Sequence, residues 1–331
     1  MTDSERMMET LDDRVRRRES RRAFFTSAIG AAAVGATLAA GKAQAQTTTI
    51  TDADVLNFAL NLEYLEANFY AFAVNGAAIP AADTTGSIGT AGAATGGRKV
   101  TFTDPIVEQY AREIAADELA HVRFLRKQFT ADVTRASQPA IDVGVTPTSA
   151  FSNAARAAGL IGAGQSFDPY SSDENFLLGA FIFEDVGVTA YKGAAPLLVN
   201  KAYVEASAGI LAVEAYHAAI IRAVLYRKGI AAPQLIAATT AISNARDTLD
   251  GNPTEDKVRG IAPDGDQGIA TTTTADGVVS NIVPLNENGI AYSRSAGQTL
   301  NIVYLNSAAV SSGGFFPAGV NGTIKTSAAS G

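Results

Sequence analysis

Apolar residues in this chain come in long blocks rather than in alternation, which predicts helices and few strands. Across 53–74, Leu56, Phe58, Leu60, Leu62, Leu65, Phe69 and Phe72 are too many for one stripe. The pattern predicts a helix buried around most of its circumference, with Asp52 or Thr51 as its N-cap. Glu63 and Glu66 interrupt that background at i and i+3, on one side, and a buried carboxylate is expensive unless paired or bound to metal. The Ala-, Gly-, Thr- and Ser-rich stretch 76–97 has almost no apolar anchors and is expected to be a flexible loop. A second helix opens at Thr103-Asp104-Pro105, with cap and proline in favoured places, and runs to about 129. Glu113 and Asp117 are assigned to its solvated face, beside Arg112, Arg123 and Arg126. A long connection, 131–172, holds one short helix near 149–158. A third helix is expected over 173–198, apolar until Glu184-Asp185, a fourth over 201–228 ending at Gly229, and an Ala-rich fifth over 233–249.

Chemistry enters with a repeated spacing. Glu118-Leu119-Ala120-His121 lies in the second helix and Glu214-Ala215-Tyr216-His217 in the fourth. A Glu and a His three apart share a helix face, about one turn apart, so both reach one ion. The chain has two histidines and 14 glutamates in 331 residues, and each His has Glu at −3. Composition alone gives that coincidence about twice in a thousand. One such pair alone reads better as a core or surface His hydrogen-bonded by its Glu than as a metal site. The second copy favours metal, given carboxylates from two more helices.

Those carboxylates also sit in a repeat. Glu63 precedes Tyr70 by seven residues and Glu184 precedes Tyr191 by seven, each on the helix before a Glu-x-x-His helix. Two matching helix pairs imply a pseudo-twofold bundle whose second and third helices run parallel and need a long crossover. The repeat ranks Glu63 first on the first helix, with Glu66 as an additional or alternative ligand. Tyr70 and Tyr191 read either as core tyrosines or as hydrogen-bond donors to ligands.

With these residues in view, the chain resembles the ferritin-like di-metal carboxylate proteins. More narrowly, it resembles the exported ferritin-like group that includes plant and bacterial desiccation-related proteins. The resemblance spans roughly 50–325 and includes the tail run Gly313-Gly314-Phe315-Phe316-Pro317-Ala318-Gly319-Val320-Asn321-Gly322. It implies an all-α ferritin-like four-helix bundle with a long crossover between helices two and three and an added fifth helix. It also implies the ligand set Glu63, Glu118, His121, Glu184, Glu214 and His217 around two metal ions, expected about 3.5–4 Å apart. Oxygen-rich sites with one imidazole each suit iron or manganese. The implied chemistry acts on Fe(II), dioxygen or peroxide in oxidative or desiccation stress. The readings that stand beside it are a dimanganese catalase and a non-catalytic stress protein whose metals staple the fold.

From 251 onward Thr, Asn, Gly and Ser dominate. This extension, 251–331, is too poor in large apolar residues to form its own core. It is expected to wrap the bundle domain, 46–250, with Phe315 and Phe316 as anchors and a short strand or helix over 295–304. Residues 1–45 read as a twin-arginine signal peptide: Ser20-Arg21-Arg22-Ala23-Phe24-Phe25, an apolar run over 28–40, and Ala43-Gln44-Ala45 as cleavage site. That predicts engagement of the twin-arginine translocation machinery through Arg21 and Arg22, and a periplasmic or secreted product. The apolar run is too short to span a membrane, and no span is expected in the mature chain. Without the signal the chain has 18 basic and 27 acidic residues, a net −9, which argues against nucleic acid as partner. There is no cysteine, so disulfides, thiolate catalysis and Cys-bound clusters are excluded. A homo-oligomer is left open.

Overall fold

Four long helices carry the structure. In this computed structural model, which describes residues 49–129 and 134–330, they are α1 (Asp52–Asn75), α2 (Pro105–Lys127), α4 (Asp173–Ala194) and α5 (Lys201–Gly229). The expected signal segment, with Arg21, Arg22 and Ala45, lies outside the described residues. Three shorter helices are α3 (Ala150–Ala157), α6 (Gln234–Asp250) and α7 (Ala296–Tyr304). The chain thus has the all-α organisation its periodicity predicts and the ferritin-like bundle the resemblance implies, with α6 as the added fifth helix.

The N-cap of α1 is Thr51, in a reciprocal capping box with Asp54. Asp52 instead ties α1 to α5, its carboxylate accepting the Val199 and Asn200 N–H groups at the start of that helix. Asp104 and Ser172 cap α2 and α4 through their side chains.

Helix directions follow from end contacts. Val100, just before α2, donates to Ala73 near the end of α1, whereas Arg126 near the end of α2 reaches Tyr64. These two helices are therefore antiparallel, and so are α4 and α5, because Lys228 pairs with Glu174 at 3.0 Å. Asp173 at the start of α4 accepts the N–H groups of Thr103 and Asp104 at the start of α2, so α2 and α4 run parallel. The connection between them must therefore cross the bundle.

That crossover is what orders the 76–97 loop, which is held rather than flexible. Its backbone runs beside the crossover, with β1 (Ala94–Thr95) parallel to β2 (Ile141–Asp142). Gly86 and Gly92 lie so close to that chain that a Cβ would stand 2.4 and 2.2 Å from its backbone. Asn321 from the C-terminal extension then binds Thr90 N–H and C=O and Ser137 C=O. Backbone pairing replaces the apolar anchors the loop lacks.

The extension wraps the bundle. Phe315 and Phe316 are both fully buried, and Phe315 packs edge-on against Phe151 and Phe183 at 5.1 and 4.9 Å. A second attachment is ionic. Arg222 of α5, fully buried, binds Asp185 at 2.8 Å and the carbonyls of Gln267, Gly268, Asn281 and Ile282. Asp266 of the extension takes Arg246 and Arg294 at 2.6 and 2.8 Å. The extension also carries an exposed hairpin of β3 (Thr272–Thr274) and β4 (Gly277–Val279).

Candidate metal centre

Near the middle of each long helix, a carboxylate turns into the bundle. Glu63 of α1, Glu118 of α2, Glu184 of α4 and Glu214 of α5 are 0, 0, 1 and 0% exposed. His121 and His217 join them one turn further along α2 and α5, with ring centroids 6.3 Å apart. The six residues form two overlapping groups: Glu63, Glu118, His121 and Glu214, and Glu118, Glu184, Glu214 and His217. Glu118 and Glu214 belong to both. Glu66 falls outside both groups, although it is also buried.

Outer hydrogen bonds decide which atoms face inward. Tyr191 of α4 donates its phenolic proton to Glu63 Oε1, and Tyr70 of α1 donates to Glu184 Oε1, so each tyrosine crosses to the partner helix's carboxylate. Each of these glutamates keeps its Oε2 for the interior, 3.3 Å from His121 Nδ1 and 3.5 Å from His217 Nδ1 respectively. His217 places Nε2 3.2 Å from Asp117 Oδ2, which holds that proton outward and turns Nδ1 inward. Asp117 is thus part of the site. Its side chain is 43% exposed, as a surface residue's would be, but its carboxylate supports a histidine from another helix. Glu113 remains on the solvated face.

Eight buried atoms then have no hydrogen-bond partner: Glu63 Oε2, Glu184 Oε2, both oxygens of Glu118 and of Glu214, and the two Nδ1 atoms. His217 Nδ1 comes within 2.9 Å of Glu118 Oε1 without hydrogen-bond alignment. Buried polar atoms are nearly always satisfied, so eight orphans aimed at one another have the chemistry of a donor set for cations. The residues present fit divalent metal.

The electrostatics point the same way. Burial raises Glu66 and Glu214 well above the ordinary carboxylate range, and neighbouring carboxylates add to it. Burial also raises Glu184, and raises Glu63 to about 7 against the opposing pull of the imidazoles. For Glu118 burial is outweighed by both histidines, and it is lowered to about 2. Burial opposes charge on the imidazoles too, yet the carboxylates raise His121 to about 11 and His217 to about 12. The cluster holds positive charge tightly, as protons or as metal ions at the same atoms.

A long-crossover bundle with one Glu on each of two helices and Glu-x-x-His on the other two defines a ferritin-like protein. The chain belongs to the ferritin-like domain family, whose pattern it matches over residues 51–227. It is similar to the ferritin-like catalase Nec2 of Nesocodon mauritianus, 29% identical over 278 residues that cover 82% of this chain and 84% of the relative. It is also similar to the desiccation-related protein PCC13-62 of Craterostigma plantagineum, 29% identical over 251 residues, 74% of this chain and 75% of the relative. No solved structure gives a significant match.

Proposed function

We propose that this chain is an exported ferritin-like redox protein that holds two iron or manganese ions and consumes peroxide or dioxygen under oxidative or desiccation stress. The observation that carries the reading is the set of eight unpartnered inward atoms on Glu63, Glu118, His121, Glu184, Glu214 and His217. Four carboxylates balance two divalent charges, and one imidazole for each ion leaves an oxygen-rich set suited to iron or manganese. Bound there, such a pair supplies two-electron exchange with peroxide or dioxygen. The chain's own part is to fix the donors and keep water away. Tyr70 and Tyr191 orient Glu184 and Glu63, Asp117 orients His217, and Glu118 and Glu214 are shared between the two groups. The similarity to a protein named as a catalase favours peroxide disproportionation among these reactions.

Export rests on the Arg21-Arg22 motif and the run that follows it. Changing both arginines to Lys should leave precursor in the cytoplasm. Normal appearance of the processed form outside it would contradict the assignment.

A second reading has its own support in the similarity to a desiccation-related protein. In that reading the metals only staple the bundle. Elemental analysis of natively exported protein, followed by peroxide consumption and Fe(II) oxidation at defined metal content, separates the two. Turnover in the loaded protein supports redox function. A loaded protein that melts well above the metal-free form but is inert in both assays supports the structural role.

A further inference from the structure

The pseudo-twofold repeat breaks at one place. Glu66 lies three residues after Glu63, and the matching position, three residues after Glu184, is Gly187. The missing side chain is on the inner face of α4: a Cβ at Gly187 would stand 2.3 Å from Glu214 Oε2 and 3.5 Å from Glu66 Oε1. A crevice opens onto this gap between α1 and α4, roofed by α7 and Phe315 of the extension. Its walls are apolar, with Leu62 and Val303 among them, and its polar side chains are Glu66, Tyr191 and Thr299. Glu66 is 6% exposed, more than the four carboxylates behind it. The room for water-sized molecules is about 20 Å³, enough for a single small molecule, since one water needs about 10–15 Å³. The imidazoles of His121 and His217 come from the other two long helices, α2 and α5.

We propose that this crevice is the path by which a small uncharged oxidant, hydrogen peroxide or dioxygen, reaches the cluster, with Leu62 and Val303 setting the size limit. This rests on the redox reading of the site. Three features carry it. Gly187, in the crevice wall, leaves free the space beside Glu214 that a side chain would fill. Apolar walls make entry of an ion costly while leaving a neutral molecule free to pass. Room of about 20 Å³ suits a small molecule and not a bulky branched one. The extension, whose α7 supplies the roof, is thereby a specificity element as well as a wrap.

The test uses the full chain loaded with iron. Leu62→Trp and Val303→Trp fill the crevice, and Leu62→Ala and Val303→Ala widen it. Stopped-flow binding of nitric oxide, a small neutral probe, reads access without turnover. Consumption of hydrogen peroxide, of tert-butyl hydroperoxide and of dioxygen reads it with turnover. Filling should slow nitric oxide binding and lower kcat/KM at least ~10-fold at unchanged metal content, because access becomes limiting. Widening should admit tert-butyl hydroperoxide, which wild type excludes. Loss of hydrogen peroxide turnover alone, or of dioxygen turnover alone, in the filled variants identifies the oxidant that uses this path. Filled variants with full metal and wild-type nitric oxide rates overturn the proposal. If filling costs metal, the widened variants decide, and their failure to gain tert-butyl hydroperoxide turnover overturns it. A wild type inert to both oxidants would sink the redox reading, while the nitric oxide rates still decide the path.

Discussion

Gly187→Ala asks whether the room on α4 is kept for the carboxylates. An Ala Cβ would stand 2.3 Å from Glu214 Oε2, and Cβ contacts under 3.0 Å are essentially never made, so the two must separate by at least 0.7 Å. Intrinsic propensity pulls the other way, since Ala in a helix interior is favoured over Gly by about 0.8–1 kcal/mol. Overpacking a dense interior costs about 1–3 kcal/mol. The metal-free fold should therefore lose only about 0–2 kcal/mol, a fall in Tm of no more than about 8 °C for a chain of this size. Metal binding has less slack, because ligand distances tolerate only about 0.2 Å. Glu214 belongs to both ligand groups, so its displacement bears on both ions. Affinity should fall by ~100-fold or more, the upper range for disturbing groups that merely orient ligands. Calorimetric titration with Fe(II) or Mn(II), beside thermal melts of the metal-free protein, separates the two effects. A variant that binds both ions as tightly as wild type would refute the reasoning. So would a metal-free form stabilised by the full helix-propensity gain, since Glu214 would then not occupy this position.

Three other perturbations follow from named contacts. Asp117→Asn removes the carboxylate that accepts from His217 Nε2, so metal affinity should fall about 10–100-fold with Tm of the metal-free form nearly unchanged; equal affinity in titration would deny Asp117 a role. Arg222→Met strips donors from the carbonyls of Gln267, Gly268, Asn281 and Ile282 and one partner from Asp185. It should cost about 3–5 kcal/mol, with faster amide exchange concentrated in residues 265–284; uniform exchange would contradict that attachment. Burial, with Asp266 and Asp250 adding, raises Asp247 from 3.8 to about 7. Its stabilising contribution is complete below 3.8, while the carboxyl is protonated, and is lost as pH climbs through about 7. Asp247→Asn should accordingly melt with wild type near pH 4 and above it near pH 8, and parallel curves across that range would rule the assignment out.

Much of the site was legible before any fold was known, because its strongest signal is a property of the helix itself. Glu-x-x-His places two donors one turn apart whatever the helix packs against, and its two occurrences use both histidines of the chain. Helix limits were legible for the same local reason: Asp104-Pro105 opens α2 and Gly229 closes α5. The parallel relation of α2 and α4 fits the long connection between them, which has to cross the bundle. The anchoring by Phe315 and Phe316 could be expected because they are the two phenylalanines of the extension.

What remained undecided from sequence depended on which faces meet across the bundle. Glu63 and Glu66 share a helix side, and only Tyr191, 128 residues away, distinguishes the one whose free oxygen turns to the histidines. Asp117 looked like any solvated acid among arginines, because its partner His217 is 100 residues further on and on another helix. The 76–97 loop looked loose because its stabilising groups are backbone atoms of the crossover and the side chain of Asn321, 231 residues beyond Thr90. Gly187 carries no mark of its own in the sequence, and only the fold sets Glu214 against it. Local geometry is written into spacing, so the sequence alone determined the long helices, their repeat and which of them carry the clustered carboxylates and imidazoles. Orientation of those donors, their supports and the gap beside them are properties of pairs distant along the chain, and only the tertiary structure brings such pairs together.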